Sequence, residues 1–373
     1  MSILASRRRP GLWRFVFSIL ALAALLALAG ACGSPPAEES QGSGGEETTD
    51  ETTDETTQEE ELKPGEGSLV IYSGRSAELV GPVFEKFEEE SGIDVQVRYG
   101  DTAELAATIL EEGPNSPADL FFAQDPGALG ALSDENLFEK LPAGVLDRVD
   151  ARFRSKTGDW VGISGRSRVV AYNTDELKES DLPESILDFT DPKWESKIGW
   201  SPTNGSFQAF VTALREIEGE DTAREWLEGV EANNPFVYPD NSSAVEGVSS
   251  GEVQVAFVNH YYLLRAVEEQ GDLPVENYYL ENGDPGALVL VSGAGVLNTA
   301  ENPKAAEDFL EYALSDEAQQ YFADTDFEYP LADGVEANDK VVPLSEIESP
   351  DVDQSSIGDL EGTLELLRET GVL

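Results

Sequence analysis

The spacing of apolar residues changes in a regular order from Ser68 onward. The stretch Ser68–Tyr72 is almost continuously apolar, as in a buried strand, and apolar residues then recur at helical spacing over Leu79–Phe87. Alternation over Ile93–Val97 predicts a second strand, Thr102–Glu112 reads as a second helix, and Ala118–Phe122 as a third strand. This order predicts a parallel sheet with helices on both faces.

A second series of elements follows the first. It comprises strands over Trp160–Tyr172, Lys197–Trp200, Val253–Val258 and Gly286–Gly295, and helices over Phe207–Glu218 and Ala223–Glu228. The first and last of these strands are long enough to run from one lobe to another. The pattern therefore predicts an α/β fold of two lobes with central mixed sheets, joined by two crossing strands. The predicted boundaries are 68–165 for the first part of lobe 1, 166–286 for lobe 2, 287–330 for the return to lobe 1, and 331–373 for a C-terminal helical tail.

The first 31 residues have the pattern of an export signal. Arg7, Arg8 and Arg9 precede an apolar run that ends in small residues directly before Cys32. This arrangement resembles the lipobox of bacterial lipoproteins, which implies a lipidated Cys32 and an extracytoplasmic protein anchored to the cell membrane. The alternative is an ordinary secreted protein in which Cys32 is free.

Charge sets limits on the remaining partners. Residues 32–67 hold twelve acidic residues and one lysine among Ser, Thr, Gly and Pro, which predicts a disordered, self-repelling tether. The whole chain has a formal net charge of −50, which disfavours nucleic acid and anionic lipid. We therefore expect membrane contact through the lipid anchor only, and a monomer. Because Cys32 is the only cysteine, disulfides and thiol catalysis within the chain are excluded.

Two adjacent tyrosines, Tyr261 and Tyr262, follow the only histidine, His260. Neighbouring residues on a helix point about 100° apart, so such a pair does not share one buried stripe. Two interpretations are open: aromatic packing at the edge of a core, or two phenol oxygens directed into a cleft. Ligands of parallel sheets bind beyond the carboxyl ends of the strands, which here are Ser73–Ser76 and Ala123–Asp125.

Seven stretches, in order, resemble the ferric-binding protein family, the iron(III)-binding members of the ABC-transporter substrate-binding proteins. They are VIYSGRS (Val70–Ser76), PADLFFAQD (Pro117–Asp125), WVGISGRSRVVAYN (Trp160–Asn173), DPKWESKIGW (Asp191–Trp200), VNHYY (Val258–Tyr262), DPGALVLVSGAGVL (Asp284–Leu297) and EYPL (Glu328–Leu331). The resemblance implies a type 2 periplasmic-binding fold, whose two lobes close on a ligand. It also implies a receptor that captures Fe³⁺ with a co-bound anion and delivers it to the permease of an ABC importer, without enzymatic activity.

The family's iron ligands correspond to Tyr261 and Tyr262. Fe³⁺ is a hard cation that prefers oxygen, and a bound trication can remove the proton of a phenol at neutral pH. The chain departs from many relatives, which have a histidine at the position of Ser76, a glutamate at Gln124, or a third tyrosine near Phe207. Two phenolates leave an octahedral ion short of ligands and of negative charge, which suggests carbonate or phosphate as the co-bound anion.

Residues for that anion are implied by the same resemblance. The loop before the predicted helix at Phe207 resembles the family's anion-binding loop, although a plain helix cap remains an alternative. Arginines could neutralise the anion, and two asparagines with Gln124 match positions that line the family's site. The residues expected around the anion or beside the metal are Ser76, Gln124, Arg75, Arg166, Arg168, Thr203, Asn204, Gly205, Ser206, Asn241 and Asn259.

Two further residues have ambiguous roles. Asp125 could replace the missing carboxylate, but strand alternation turns it away from Gln124. His260 is expected to make a structural hydrogen bond rather than to bind metal, because alternation turns it from the side of Asn259 and Tyr261.

Two other functions are compatible with parts of the sequence. The same fold could bind an organic anion, a phosphonate or a carboxylate, at the loop and the arginines. An exported hydrolase is suggested only by the letters G-x-S-x-G at Gly247–Gly251, where a strand follows instead of preceding, so we interpret this stretch as a loop.

Overall fold

The computed structural model describes residues 67–373. The predicted signal peptide, the lipidation site at Cys32 and nearly all of the acidic tether lie outside the described residues. Between residues 67 and 373, no helix is both long and apolar enough to pass through a bilayer.

The first part of the described chain alternates strands and helices as predicted. Its elements are β1 (Ser68–Ser73), α1 (Ala77–Ser91), β2 (Asp94–Tyr99), α2 (Thr102–Glu112), β3 (Leu120–Ala123), α3 (Pro126–Asp134), α4 (Ala143–Leu146) and β4 (Val161–Asn173). The strand β1 pairs in parallel with both β2 and β3. The predicted parallel β-α-β-α-β unit is thereby confirmed.

The second part carries the remaining elements. They are β5 (Ile198–Trp200), α5 (Gly205–Glu218), α6 (Glu220–Ala232), β6 (Phe236–Val237), α7 (Asn241–Ser249), β7 (Val255–Asn259), α8 (Tyr261–Gln270), β8 (Val275–Tyr278), β9 (Val289–Val296), α9 (Pro303–Ala313), α10 (Asp316–Thr325), β10 (Tyr329–Pro330) and α11 (Leu360–Glu369). The stretch Gly247–Gly251 covers the last turn of α7 and the residues after it, so it is a helix end instead of the predicted loop.

The strand β4 connects two sheets. Residues 161–167 of β4 pair with β9, and residues 168–173 pair with β7 and β8. The strand order is β2-β1-β3-β9-β4-β7-β5-β6. The strand β4 is antiparallel to both of its neighbours, β9 and β7, and parallel pairs occur farther out on each side. We call the part around β1, β2, β3 and β9 the first lobe, and the part around β5, β6 and β7 the second lobe.

Each lobe has its own core. In the first lobe, Phe84, Phe122 and Phe309 pack with ring centroids 5.3–6.4 Å apart. In the second lobe, Trp200 and Trp226 pack on Phe207, with centroids 5.5–6.5 Å apart. Burial of each such aromatic ring stabilises the fold by roughly 2–3 kcal/mol. The lobes therefore have separate cores, and each can position side chains at the cavity between them.

The C-terminal segment forms a third connection between the lobes, in addition to the two predicted crossings. The 3₁₀ helix Gln354–Ser356 packs against α3 of the first lobe. Leu366 and Leu367 of α11 then enter the core of the second lobe. Of the predicted helical tail at 331–373, only α11 is α-helical, since Pro343 and Pro350 interrupt the stretch before it.

Candidate metal and anion site

The two adjacent tyrosines lie where β7 meets α8. β7 ends at Asn259, His260 is the N-cap residue, and α8 begins at Tyr261. At this turn the rings of Tyr261 and Tyr262 stack, with centroids 4.3 Å apart and an interplanar angle of 27°. Both tyrosines are in the first turn of α8, directly after the strand, and their side chains bring the two rings together.

Tyr261 contacts both an apolar and a charged environment. It is 1% exposed and packs with Phe327 and Tyr329. Burial, Tyr262 and nearby Glu328 raise the pKa of Tyr261 well above its ordinary value, while positive charges nearby partly oppose this. The phenol is therefore protonated on its own, and only a strong cation would convert it to a phenolate. In this structure Tyr261 is packed among other rings, as in the first interpretation, and charged groups adjoin it.

A buried ion pair adjoins Tyr261. Arg75 Nη2 lies 3.0 Å from Glu328 Oε1, and Nη1 donates to Oε2 at 3.2 Å. Ser164 Oγ donates to the same Oε2 at 2.5 Å. Burial opposes ionisation of Glu328, but Arg75, Arg166 and Ser164 together lower its pKa below the ordinary value. A carboxylate and a guanidinium are both held ionised without access to water.

The residue before Glu328 has an uncommon backbone conformation. Phe327 has φ of 57°, a left-handed value that costs a bulky residue about 1–2 kcal/mol. In this conformation its carbonyl accepts a hydrogen bond from His260 Nε2 at 2.8 Å, while Glu328 reaches Arg75. Glu328 begins the EYPL stretch that resembles the family, but the sequence alone does not indicate a role for it in the site.

Two arginines on β4 differ in their partners. Arg168 Nη1 donates to Asn259 Oδ1 at 3.0 Å, its Nη2 donates to the carbonyl of Phe257 at 2.9 Å, and the guanidinium lies over Phe210. Arg166 is 1% exposed, and none of its three guanidinium nitrogens has a hydrogen-bond partner in the described part of the chain. Its electrostatic neighbours are Arg75, Glu328, Tyr261 and Asp125. A buried guanidinium without hydrogen-bond acceptors is costly unless a ligand supplies them.

A cavity of about 260 Å³ lies between the lobes, and its lining includes neither the two tyrosines nor the arginines. Its lining includes Gln124 and Asp125 after β3, Thr203–Gly205 at the start of α5, and Leu360 of α11. Asn204 caps α5, since its Oδ1 accepts from the Ser206 backbone at 3.0 Å. The loop therefore includes a helix cap. Because the start of α5 lines the cavity, the positive end of its dipole faces that space.

His260 is fully buried and has both ring nitrogens in hydrogen bonds. Nδ1 accepts from the Ser167 backbone at 3.2 Å, so the proton is on Nε2, which donates to Phe327. Burial lowers the pKa of His260 to about 4. Its ring stacks on Tyr329 at 4.6 Å. This geometry gives His260 a structural role, in line with the expected hydrogen bond, and leaves no lone pair for a metal.

The chain also matches proteins that are already known. Residues 115–354 match the family described as bacterial extracellular solute-binding protein. The chain belongs to this family. The architecture of this solute-binding protein is accordingly the type 2 periplasmic-binding fold.

Individual relatives cover most of the chain. The major ferric iron-binding protein of Neisseria meningitidis serogroup B is 35% identical over 314 residues, which are 83% of this chain and 94% of that protein. The Fe(3+)-binding periplasmic protein of Serratia marcescens is 33% identical and covers 82% of this chain and 90% of its own length. Iron-bound HitA from Pseudomonas aeruginosa is a structural neighbour with a TM-score of 0.78 and 36% identity, over 82% of this chain and 99% of that one.

The structure of this solute-binding protein brings together some predicted residues and separates others. Arg75, Arg166, Tyr261, Tyr262 and the unpredicted Glu328 form one cluster, which we call the tyrosine–arginine cluster. Asn241 and Asn259 are buried, and each has a side-chain nitrogen without a partner among residues 67–373. Ser76 is exposed at the start of α1 and makes no capping hydrogen bond. In the described range no three His, Cys, Asp or Glu side chains are grouped as a metal site.

Proposed function

We propose that this protein is an extracytoplasmic receptor that captures Fe³⁺ between its lobes through Tyr261 and Tyr262. The observation that carries the proposal is the stacked tyrosine pair beside the buried, unpaired Arg166. A pair of phenols at a strand-to-helix turn supplies hard oxygen ligands from two consecutive residues. The relatives named for ferric iron support the choice of metal.

Iron binding by phenols has a definite proton balance. Fe³⁺ replaces the phenolic proton on each of two oxygens, so two protons leave when both tyrosines bind. The resulting phenolates lie near the positive charges of Arg75 and Arg166, which stabilise them. Because Glu328 neutralises Arg75, Arg166 carries the cluster's excess positive charge before the metal enters.

A co-bound anion completes the proposed site. Two phenolates offset only two of the three charges of the ion, and the positively charged guanidinium of Arg166 has no hydrogen-bond partner in residues 67–373. A guanidinium donates two parallel hydrogen bonds to a planar oxyanion. We therefore place carbonate or phosphate at Arg166, with Asn241, Asn259 and the Thr203–Ser206 loop around it.

Delivery involves the regions outside the metal site. We propose that the permease of an ABC importer accepts iron from the closed lobes. Lobe 1 would comprise residues 68–165 and 287–330, and lobe 2 residues 166–286, as predicted from the sequence. A lipidated Cys32 would keep the monomeric receptor at the cell membrane, with residues 32–67 as its tether. The relatives' periplasmic or iron-uptake names support export and transport. The proposal includes no catalysis.

A spectroscopic titration tests the metal assignment. Protein titrated with ferric nitrilotriacetate in bicarbonate buffer should develop a visible tyrosinate-to-iron charge-transfer band. The double variant Tyr261→Phe, Tyr262→Phe should lose this band and bind iron at least 100-fold more weakly. Tyr238→Phe is the matched control, because its hydroxyl donates to Glu252 on the surface. A band of unchanged intensity in the double variant would refute the assignment.

The organic-anion alternative can be separated in the same samples. The unpaired Arg166 and the cavity at α5 are the features that would hold a phosphonate or a carboxylate. A ligand that binds only the folded state raises the apparent stability. A rise in melting temperature with such an anion and no metal, together with no rise with iron, would replace the iron proposal by this one.

A further inference from the structure

Asp125 bridges the two lobes at the cavity. It follows β3 in the first lobe, is 7% exposed, and caps α3 through a hydrogen bond from the Gly127 backbone to Oδ1 at 3.1 Å. Its other oxygen faces the second lobe: a Cβ placed on Gly205 would lie 3.4 Å from Asp125 Oδ2. The carboxylate therefore lies against the first residue of α5, with no room for an anion between them.

The surroundings of Asp125 favour a negative charge there. The N-termini of α3 and α5 both point at this carboxylate, and each has partial positive charge. Burial raises the pKa of Asp125 to about 6, whereas Arg166 and the hydrogen bonds at the start of α3 pull it down. At neutral pH the group is largely ionised. The place that sequence comparison assigns to an external anion thus already has a fixed carboxylate at its edge.

We propose that Asp125 determines which anion accompanies iron, by excluding phosphate from the α5 N-terminus and leaving carbonate at Arg166. This rests on the proposed function. Phosphate is tetrahedral and needs several donors around it, so a phosphate at the α5 N-terminus would lie directly against the Asp125 carboxylate. Carbonate is planar and smaller, and it matches the two parallel donors of the Arg166 guanidinium, which has no hydrogen-bond partner among residues 67–373. Like charges in a buried site repel far more strongly than in water.

The substitution Asp125→Asn tests this directly. Asparagine keeps the shape and is an equally good N-cap, so α3 should form normally while one negative charge is removed. Iron affinity would be measured by competition against citrate, in carbonate alone and in phosphate with carbonate removed. The protein with Asp125 should bind iron at least tenfold more tightly in carbonate. In Asp125→Asn this ratio should fall at least tenfold, mainly because phosphate becomes effective.

Asp101→Asn is the matched control. Asp101 borders the same cavity and caps α2 by accepting from the Ala103 backbone at 2.9 Å, but it is exposed. The substitution Asp101→Asn removes the same charge as Asp125→Asn. It should leave the ratio of iron affinities in carbonate and in phosphate within about twofold, because water screens the charge of Asp101. An equal response of both variants, or an unchanged ratio in Asp125→Asn, would overturn the inference. Absence of iron binding in every buffer would instead refute the proposed function on which it rests.

Discussion

Arg166 and Arg168 are two residues apart on β4, on the same face of the strand, and both are at least 97% buried. They lie in the halves of β4 that belong to different lobes. Arg168 uses its guanidinium on Asn259 and Phe257, whereas Arg166 makes no hydrogen bond within residues 67–373. The guanidinium of Arg168 is therefore held by hydrogen bonds within the fold, whereas that of Arg166 is not.

The ionisation of the two arginines follows from these surroundings. Burial lowers the pKa of Arg168 to about 10, with Tyr262 and Tyr261 opposing the shift. Burial and the neighbouring Arg75 lower the pKa of Arg166. Arg75 is equally buried, but Glu328 outweighs its burial and raises its pKa. Among these three cations only Arg166 lacks a bonded protein partner, which is why we assign it to the anion.

Replacing Glu328 is expected to have the largest effect. Glu328→Gln would leave Arg75 buried without its counter-charge, as Arg166 is now, and should lower the free energy of unfolding by about 3–5 kcal/mol. Urea denaturation of the iron-free protein measures this. The double variant Arg75→Met, Glu328→Gln should recover much of the loss, because the stranded charge is gone. A loss below about 1 kcal/mol would mean that this cleft tolerates unpaired guanidinium groups, and Arg166 would no longer indicate a ligand.

Replacing the two β4 arginines should shift stability in opposite directions. Arg168→Met leaves the Phe257 carbonyl and Asn259 without partners and should lower the free energy of unfolding by about 1–3 kcal/mol. Arg166→Met removes an unpaired buried charge, so the iron-free protein should be unchanged or more stable by about 1–2 kcal/mol. Iron affinity should nevertheless fall on the order of 100-fold in Arg166→Met, by loss of the anion. Equal destabilisation by both variants would contradict the distinction between them.

Much of the fold follows from periodicity in the sequence. The elements from β1 to β3 have short-range signals, and β4 is recognisable as a run too long for one lobe. The tyrosine pair could be placed near a strand end because Val255–Val258 is apolar and Tyr261 begins a new pattern. These are local properties, and local properties determine helix and strand positions well.

The partners of the charged residues could not be predicted in this way. Glu328 is one of 74 acidic residues, and its ionic partner Arg75 is 253 positions away. Nothing near Glu328 in the sequence distinguishes a buried carboxylate from an exposed one. The contact of Asp125 with the other lobe could not be predicted either. Strand alternation gives the direction of its side chain relative to Gln124, but it does not show that Gly205 of the second lobe comes close to it. Both features depend on tertiary contacts.

The smallest expected effect concerns a pair of carboxylates that repeats the contrast between the arginines. Asp326 and Glu328 flank Phe327, and both are buried, but Asp326 Oδ2 has no hydrogen-bond partner within the described range. Burial and the charge of Glu328 raise the pKa of Asp326, whereas Arg75 holds Glu328 ionised. A carboxyl whose pKa is higher folded than unfolded stabilises the protein below its unfolded pKa of 3.8, and this stability is lost as pH rises through the folded value. Asp326→Asn should therefore raise the free energy of unfolding by about 1–2 kcal/mol at pH ~8 and change it little at pH ~4.

Urea midpoints at both pH values measure this difference, with Asp324→Asn as an exposed control in the last turn of α10, whose C-cap residue is Asp326. The control should show no pH-dependent gain, because water stabilises its charge. If Asp326→Asn gave the same change at both pH values, then Asp326 would be ionised throughout. Two ionised carboxylates would then lie beside Arg75, and the contrast drawn between Asp326 and Glu328 would be wrong.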